Sequence, residues 1–296
     1  MNARERGFLL LSSALGAPNR KPLTTAQLRT LADRSWNLDL TEADRELTAA
    51  DIAALGYGGA MAQRIIDLLE QDAALDRYLM QAKRLGCVPL TRVSEGYPLS
   101  LRKRLGLDSP GVLWAKGDVS LLHTPLISLV GSRDLQPQNR DFAAEAGRQA
   151  ALQGYTLVSG NARGADRTAQ ESCLAAGGRV ICIVADELAA IPQRDNVLYL
   201  SEEDFDQGFS AQRALSRNRC IHALGDKTLV AQCTLGMGGT WDGTVKNLRF
   251  GWSKVFCFRD GSDAAAQLEQ MGAALITKKD LAALGFLCGG QITLFD

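Results

Sequence analysis

Apolar positions along this chain change their spacing twice. Over residues 1 to 85 they recur at helical intervals, as in Ile52 and Leu55, then Met61, Ile65, Leu68 and Leu69. Thr48-Ala49-Ala50-Asp51 supplies a helix cap, and Gly56-Tyr57-Gly58-Gly59 breaks the run into a helix–turn–helix. After Gly86 come short extended pieces at Cys87–Leu90, Tyr97-Pro98 and Val112-Leu113. From Pro125 onward brief, continuous apolar runs alternate with helix-like stretches. Strands are expected at Leu126–Val130, Tyr155–Ser159, Val180–Val184, Val197–Leu200, Thr228–Ala231 and Val255–Phe258. Helices are expected at Asn139–Gln153, Ala165–Ala176, Ala211–Ala223, Thr244–Trp252 and Ala264–Met271. Strands without polar alternation are buried on both faces, as in a parallel sheet covered by helices. The expected fold is therefore α/β: an extended Rossmann-like, doubly wound parallel sheet preceded by a small helical domain. The expected domains are 1–85 (helical), 86–278 (Rossmann-like) and 279–296 (a C-terminal tail).

Candidate chemistry gathers where expected strands end. Gly131, Ser132 and Arg133 follow the first core strand, and Ser159 and Gly160 end the next. Arg163, Gly164 and Asp166 complete that second turn, with Asp166 placed to cap a helix. Glycine lets backbone approach a phosphate, N–H groups at a helix start attract anions, and arginine adds a bidentate contact. A basic cluster, Arg217, Asn218 and Arg219, reaches the same pocket if it sits near a helix start. The segment Met237–Thr244 reads as another strand-to-helix loop, with Gly238, Gly239 and Thr240 as phosphate contacts. The alternative is that the glycines only turn the chain and the arginines lie on a surface helix.

Composition narrows the partner. Lys+Arg and Asp+Glu both number 33, so a nucleic-acid contact must come from a local patch. The run Arg102-Lys103-Arg104 reads as a solvated helix face. No apolar stretch reaches the roughly 18 residues that span a bilayer, and the N-terminus lacks a signal-peptide cleavage site. The 7 cysteines form no CxxC pair, which fits reduced thiols in a cytoplasm and no metal site. His123 and His222 have no local partner, so both read as structural. No catalytic set and no P-loop lysine is present, so a non-enzymatic protein without cofactor is expected.

The ordered set of motifs resembles the DprA/Smf family of bacterial DNA-processing proteins. The resemblance starts at Gly96-Tyr97-Pro98 and Pro110–Gly117 and continues through Val130–Arg133, Ser159–Asp166, Leu200-Ser201-Glu202 and Ser216–Arg219. It implies single-stranded DNA bound around Arg133, Arg163, Arg217 and Arg219. It also implies a homodimer and the loading of RecA during DNA uptake and recombination. Gly56-Tyr57-Gly58 similarly resembles a helix-hairpin-helix core, with Leu55 where a proline often stands. There are departures: Gln170 replaces the family's usual histidine, Gln232 replaces a frequent glutamate, and no winged-helix domain is expected at the end. These put RecA loading in question and fit a divergent copy. The tail residues Gln291, Leu294 and Phe295 resemble a sliding-clamp-binding peptide, the alternative being an edge strand or a frayed end. Met237–Thr244 resembles the loop of cytokinin-activating phosphoribohydrolases, but Val245-Lys246-Asn247 replaces their glutamate. The competing reading is thus a nucleotide-sensing or nucleotide-cleaving protein, including one in a defence system.

Overall fold

The structure, a computed structural model, describes residues 1–17, 19–35 and 48–287. By internal contact the chain forms two compact units. One comprises 1–97, 110–114 and 202–207; the other comprises 98–109, 115–201 and 208–296.

The first unit is mainly helical. It contains α1 (Ala3–Ser12), α2 (Thr25–Ser35), α3 (Ala49–Ala54), α4 (Gly59–Leu69) and α5 (Asp72–Arg84), followed by β1 (Cys87–Thr91). Capping boxes start α1 (Asn2 with Glu5) and α3 (Thr48 with Asp51), meeting N–H groups that have no intrahelical acceptor. Gly56 and Gly59, at φ +77° and +56°, turn α3 into α4. Leu11, Leu23, Leu31, Ile52, Leu55, Ile65 and Leu68 then pack into one apolar core. A second cluster joins the rings of Tyr78, Trp114 and Phe205. Beside it the Asp204 carboxylate accepts from Ser13 Oγ at 3.0 Å and Trp114 Nε1 at 3.1 Å.

The second unit opens with α6 (Leu99–Leu105), and β2 (Val112–Lys116) divides between the two units. Strand and helix then alternate: β3 (Leu126–Val130), α7 (Pro137–Leu152), β4 (Thr156–Ser159), α8 (Ala165–Ala175), β5 (Arg179–Ile183) and β6 (Val197–Ser201). Next come α9 (Ala211–Ser216), α10 (Asn218–Leu224), β7 (Lys227–Val230), α11 (Gly238–Phe250), β8 (Lys254–Phe258), α12 (Asp263–Gln270) and β9 (Ala274–Ile276). The strands lie in the order β6-β5-β4-β3-β7-β8-β9, and every pairing in this series is parallel. This is a Rossmann-like doubly wound sheet. β3 sits at its centre, with Ile127 beside Leu157 on one side and Lys227 on the other, and all five β3 residues are buried.

Three details depart from the sequence reading. The stretch expected as one helix over Ala211–Ala223 is two, joined at Arg217, where the Cys220 N–H reaches back to Arg217 O at 3.0 Å. α11 starts at Gly238 rather than Thr244, so the glycines form its first turn and not a loop. Part of the expected tail is packed: Asp280–Phe286 forms a 3-10 turn with Leu281 and Leu284 buried, and Gln153 bonds its backbone. Among the described residues no helix is long and apolar enough to cross a membrane.

Candidate functional site

From β3 the chain winds outward through β4, β5 and β6, then returns to β7 on the other side of β3. Where the winding reverses, the loops at the carboxyl ends of the two strands part and leave a crevice. A cavity of about 430 Å³ opens there. Gly131, Ser132 and Arg133 line it from β3, and Cys233, Thr234 and Met237–Thr240 line it from β7. Asp166, Leu215, Arg217, Asn218, Ile221 and His222 complete its wall.

The loops after β3 and β4 clasp each other. Gly164 holds φ +82°, and an added Cβ would lie 2.4 Å from both Ser132 O and Arg133 O. Only glycine fits so close an approach in that backbone region. The contact is closed by the Ala165 N–H, which donates to Ser132 O at 3.1 Å. Gly131 is equally confined, since a Cβ there would lie 2.4 Å from the Ala165 Cβ. Gln232 braces the same loop from β7. Its backbone oxygen accepts the Ser132 N–H at 2.9 Å, its Oε1 accepts the Gln136 N–H at 2.9 Å, and its Nε2 donates to Asp134 O at 3.2 Å. A glutamate could accept but not donate, so the amide here ties two strands of the loop at once.

Arg217 lies under this clasp. It is 7% exposed, and its guanidinium sits against Gly160, where a Cβ would collide with it. Its Nη2 is 3.9 Å from Asp166 Oδ2. Asp166 is 6% exposed and also accepts the Ala162 N–H at 3.3 Å. Burial pushes the Asp166 carboxyl above its usual range, opposed mainly by Arg217; burial likewise lowers the Arg217 pKa, opposed by Asp166. The Arg217 Nε has no hydrogen-bond partner among the described residues. Gln170, one of the departures from the resembled pattern, is buried and donates to Ser159 Oγ at 2.6 Å and to Gly160 O. It holds the turn against which Arg217 rests.

The opposite wall is the start of α11. Its N-cap, Met237, makes no side-chain hydrogen bond to the first turn. The N–H groups of Gly238, Gly239 and Thr240 therefore lack both intrahelical acceptors and a side-chain cap, and the helix dipole adds partial positive charge there. Asn218 Nδ2 donates to Gly239 O at 3.1 Å and fixes this turn against α10. With exposed Arg133 across the cavity, the arrangement suits an anion.

The anticipated residues therefore divide. Gly131, Ser132, Arg133, Asp166, Arg217, Asn218, Gly238, Gly239 and Thr240 all line one cavity. Ser159, Gly160, Arg163, Gly164 and Arg219 do not line it. The Ser132 N–H, expected to meet a phosphate, is bonded to Gln232 O instead. Arg163 is 71% exposed and pairs with Asp134 at 3.2 Å. Arg219 donates to Ser216 O at 2.7 Å and Asp108 O at 3.1 Å. Arg104, expected on a solvated face, donates to the carbonyls of Ala223 and Gly225 at 3.0 and 2.7 Å and so caps α10. His222, expected to be a satisfied structural histidine, is bonded at one nitrogen only. Gln291, Leu294 and Phe295 lie outside the described residues. Among the described residues no cluster of His, Cys, Asp and Glu is arranged to hold a metal.

Comparison with known proteins places this geometry. The chain is 28% identical over 169 residues to the DNA processing protein DprA of Bacillus subtilis, covering 53% of this chain and 56% of that protein. It spans between 53% and 64% of the length of the curated relatives it matches. The X-ray structure of DprA from Streptococcus pneumoniae shares the fold with a TM-score of 0.73 at 24% identity, over 96% of this chain and 99% of that one. DprA from Helicobacter pylori, whose structure was described for a single-stranded DNA binding mode, matches at 25% identity with a TM-score of 0.55, over 66% of this chain and 92% of that one. The family model of DNA recombination-mediator protein A matches residues 89–280, which is the greater part of the chain and contains every element of the cavity. This chain belongs to the DNA recombination-mediator protein A family, the DprA/Smf proteins.

Proposed function

We propose that the chain is a non-catalytic single-stranded DNA-binding protein acting in DNA uptake and recombination. The observation that carries the reading is one cavity, at the switch point of the sheet, into which the uncapped first turn of α11 and Arg133 both face. Phosphodiester is the anion that the family's nucleic-acid role supplies, and the Helicobacter pylori relative described for single-stranded DNA binding supports it. In this reading Arg133 and the N–H groups of Gly238–Thr240 hold phosphate directly. Arg217 and Asp166 keep the wall in shape, and Arg163 and Arg219 extend a basic track outside the cavity. The helical 1–85 segment, the 86–278 Rossmann-like segment and the 279–296 tail are proposed as the functional divisions. Further parts of the proposal are a cytoplasmic location, a homodimer, loading of RecA, and docking of Gln291, Leu294 and Phe295 on the sliding clamp. Deleting 291–296 should then abolish co-elution with the clamp.

Fluorescence anisotropy with labelled single- and double-stranded oligonucleotides tests the reading. Preferential single-strand binding that unlabelled single strand displaces is the expected result. Saturable binding of a free mononucleotide that DNA does not displace would replace it with the nucleotide-sensing reading.

A further inference from the structure

The outer face of α5 differs from the rest of the helical unit. Leu75, Tyr78 and Ala82 are buried and define the inner face. Arg77, Met80 and Arg84 recur at spacings of three and four, so they form one stripe on the opposite side, and all three are exposed. Other arginines of this unit are engaged. Arg6 pairs with Asp72 and Asp76, both at 2.7 Å. Arg34 donates to Leu55 O and Gly56 O, and Arg64 to Lys21 O and Pro22 O. The side chains of Arg77 and Lys83 have no hydrogen bond or ion pair among the described residues, and Arg84 reaches only Met80 Sδ, at 3.6 Å. The acids in the first turns of α5 cannot serve them, because Arg6 already holds both.

Apolar surface accompanies these cations. Met80 is 53% exposed, Leu85 at the end of α5 is 39% exposed, and Val88 is 43% exposed. Val88 belongs to β1, the strand that follows α5 and packs against it. A single exposed aliphatic side chain is ordinary on a protein surface. Here three of them are interleaved with three cations that have no counter-charge. Exposed arginine beside methionine is also the composition that protein interfaces favour.

We infer that the outer face of α5, with Val88 of β1, is a docking surface for an acidic protein segment that carries aliphatic side chains between its carboxylates. Arg77 and Arg84 stand two turns apart, roughly 10 Å along the helix axis, with Met80 between them. The complement is a pair of carboxylates at that separation flanking one aliphatic side chain. Arginine favours such a partner because its planar fork matches a carboxylate. A nucleic-acid backbone would meet the cations alone. The stripe offers no aromatic ring on which a base could stack, and Met80, Leu85 and Val88 would stay in water. A segment of the stated kind meets both the charge and the apolar surface.

The test pans random dodecapeptides displayed on phage against the full chain, with the Arg77→Gln/Arg84→Gln chain as the counter-selection. Both positions are exposed and glutamine is a good helix former, so the variant should keep its fold and its circular dichroism. Enriched peptides should carry Asp or Glu separated by Leu, Ile or Val. The most enriched one, synthesised with a fluorophore, should bind wild type saturably in anisotropy. It should bind the double variant about tenfold more weakly, the worth of an interface arginine, and Met80→Ser about fivefold more weakly. No enrichment over the counter-selected chain, or enriched peptides without carboxylates or without aliphatic residues, overturns the inference. So does a peptide that binds all three chains equally. Single-stranded DNA should bind wild type and the double variant alike; a loss of DNA affinity in the variant would assign the face to nucleic acid and overturn the protein partner.

Discussion

Protonation of His222 has no outlet in the folded chain. The ring is 0% exposed, its Nδ1 already accepts from Asn247, and burial alone pushes its pKa from 6.5 down to about 3. The unfolded chain takes up this proton below its ordinary pKa, while the folded chain resists it until far lower. The histidine's contribution is therefore complete above about pH 6.5 and is lost as pH falls toward about 3. At about 1.4 kcal/mol per unit of displacement, the loss between about pH 7 and about pH 4 is about 3 kcal/mol. His222→Phe removes the titrating group, and Asn247 Nδ2 keeps its bond to Ser253 Oγ at 2.9 Å. Urea unfolding of both chains at the two pH values measures the difference. The buried carboxylates Asp166 and Asp204 titrate in both chains, so their contribution cancels in the comparison. Wild type should lose about 3 kcal/mol more than the variant on acidification. Equal losses would refute the buried neutral histidine.

Other substitutions test the scaffold around the cavity. Gly164→Ala places a Cβ 2.4 Å from two carbonyl oxygens at φ +82° and should cost about 2–4 kcal/mol; an unchanged thermal midpoint would contradict the clasp. Arg217→Ala leaves Asp166 buried without its cation and should cost about 3 kcal/mol at neutral pH. Since Asp166 is raised above its unfolded pKa, that variant should be most stable in acid and lose stability as pH rises through the folded Asp166 value, more steeply than wild type in an urea series. Gln232→Glu removes the donor to Asp134 O while keeping the acceptor for the Gln136 N–H; a loss of about 1 kcal/mol in chemical denaturation is expected, and none would show the amide is dispensable.

Much of the sheet was legible because burial on both faces writes itself as apolar runs: Leu126–Val130 was bounded to the residue. The start of α11 was not, because Gly238 and Gly239 look like a loop. The first turn of a helix tolerates them, since its N–H groups have no i−4 acceptor to keep. The candidate cavity was legible as a set of loops at strand ends, but not the division of labour within it. Arg217 reads from sequence as a phosphate ligand, and nothing in its neighbourhood along the chain signals the buried pairing with Asp166, distant in sequence. Arg104 resembled a surface cation, yet its acceptors lie 119 and 121 residues away. His222 and Asn247 are 25 residues apart, and only the fold brings them into hydrogen-bond contact. Local spacing carries helix and strand periodicity and turn chemistry; pairings across the sheet leave no local signal.

The central claim is that Arg133 and the first turn of α11 hold the phosphates of single-stranded DNA. Its most direct test is single-strand affinity measured over a salt series for wild type and Arg133→Ala. Arg133 is exposed, so its removal should leave the fold intact. Wild type should bind with log K falling linearly in log salt, and the variant should bind more weakly with a slope shallower by about 0.7, the value for one lost phosphate contact on a single strand. Identical affinity and slope in the two chains, or no binding at low salt, would contradict the account.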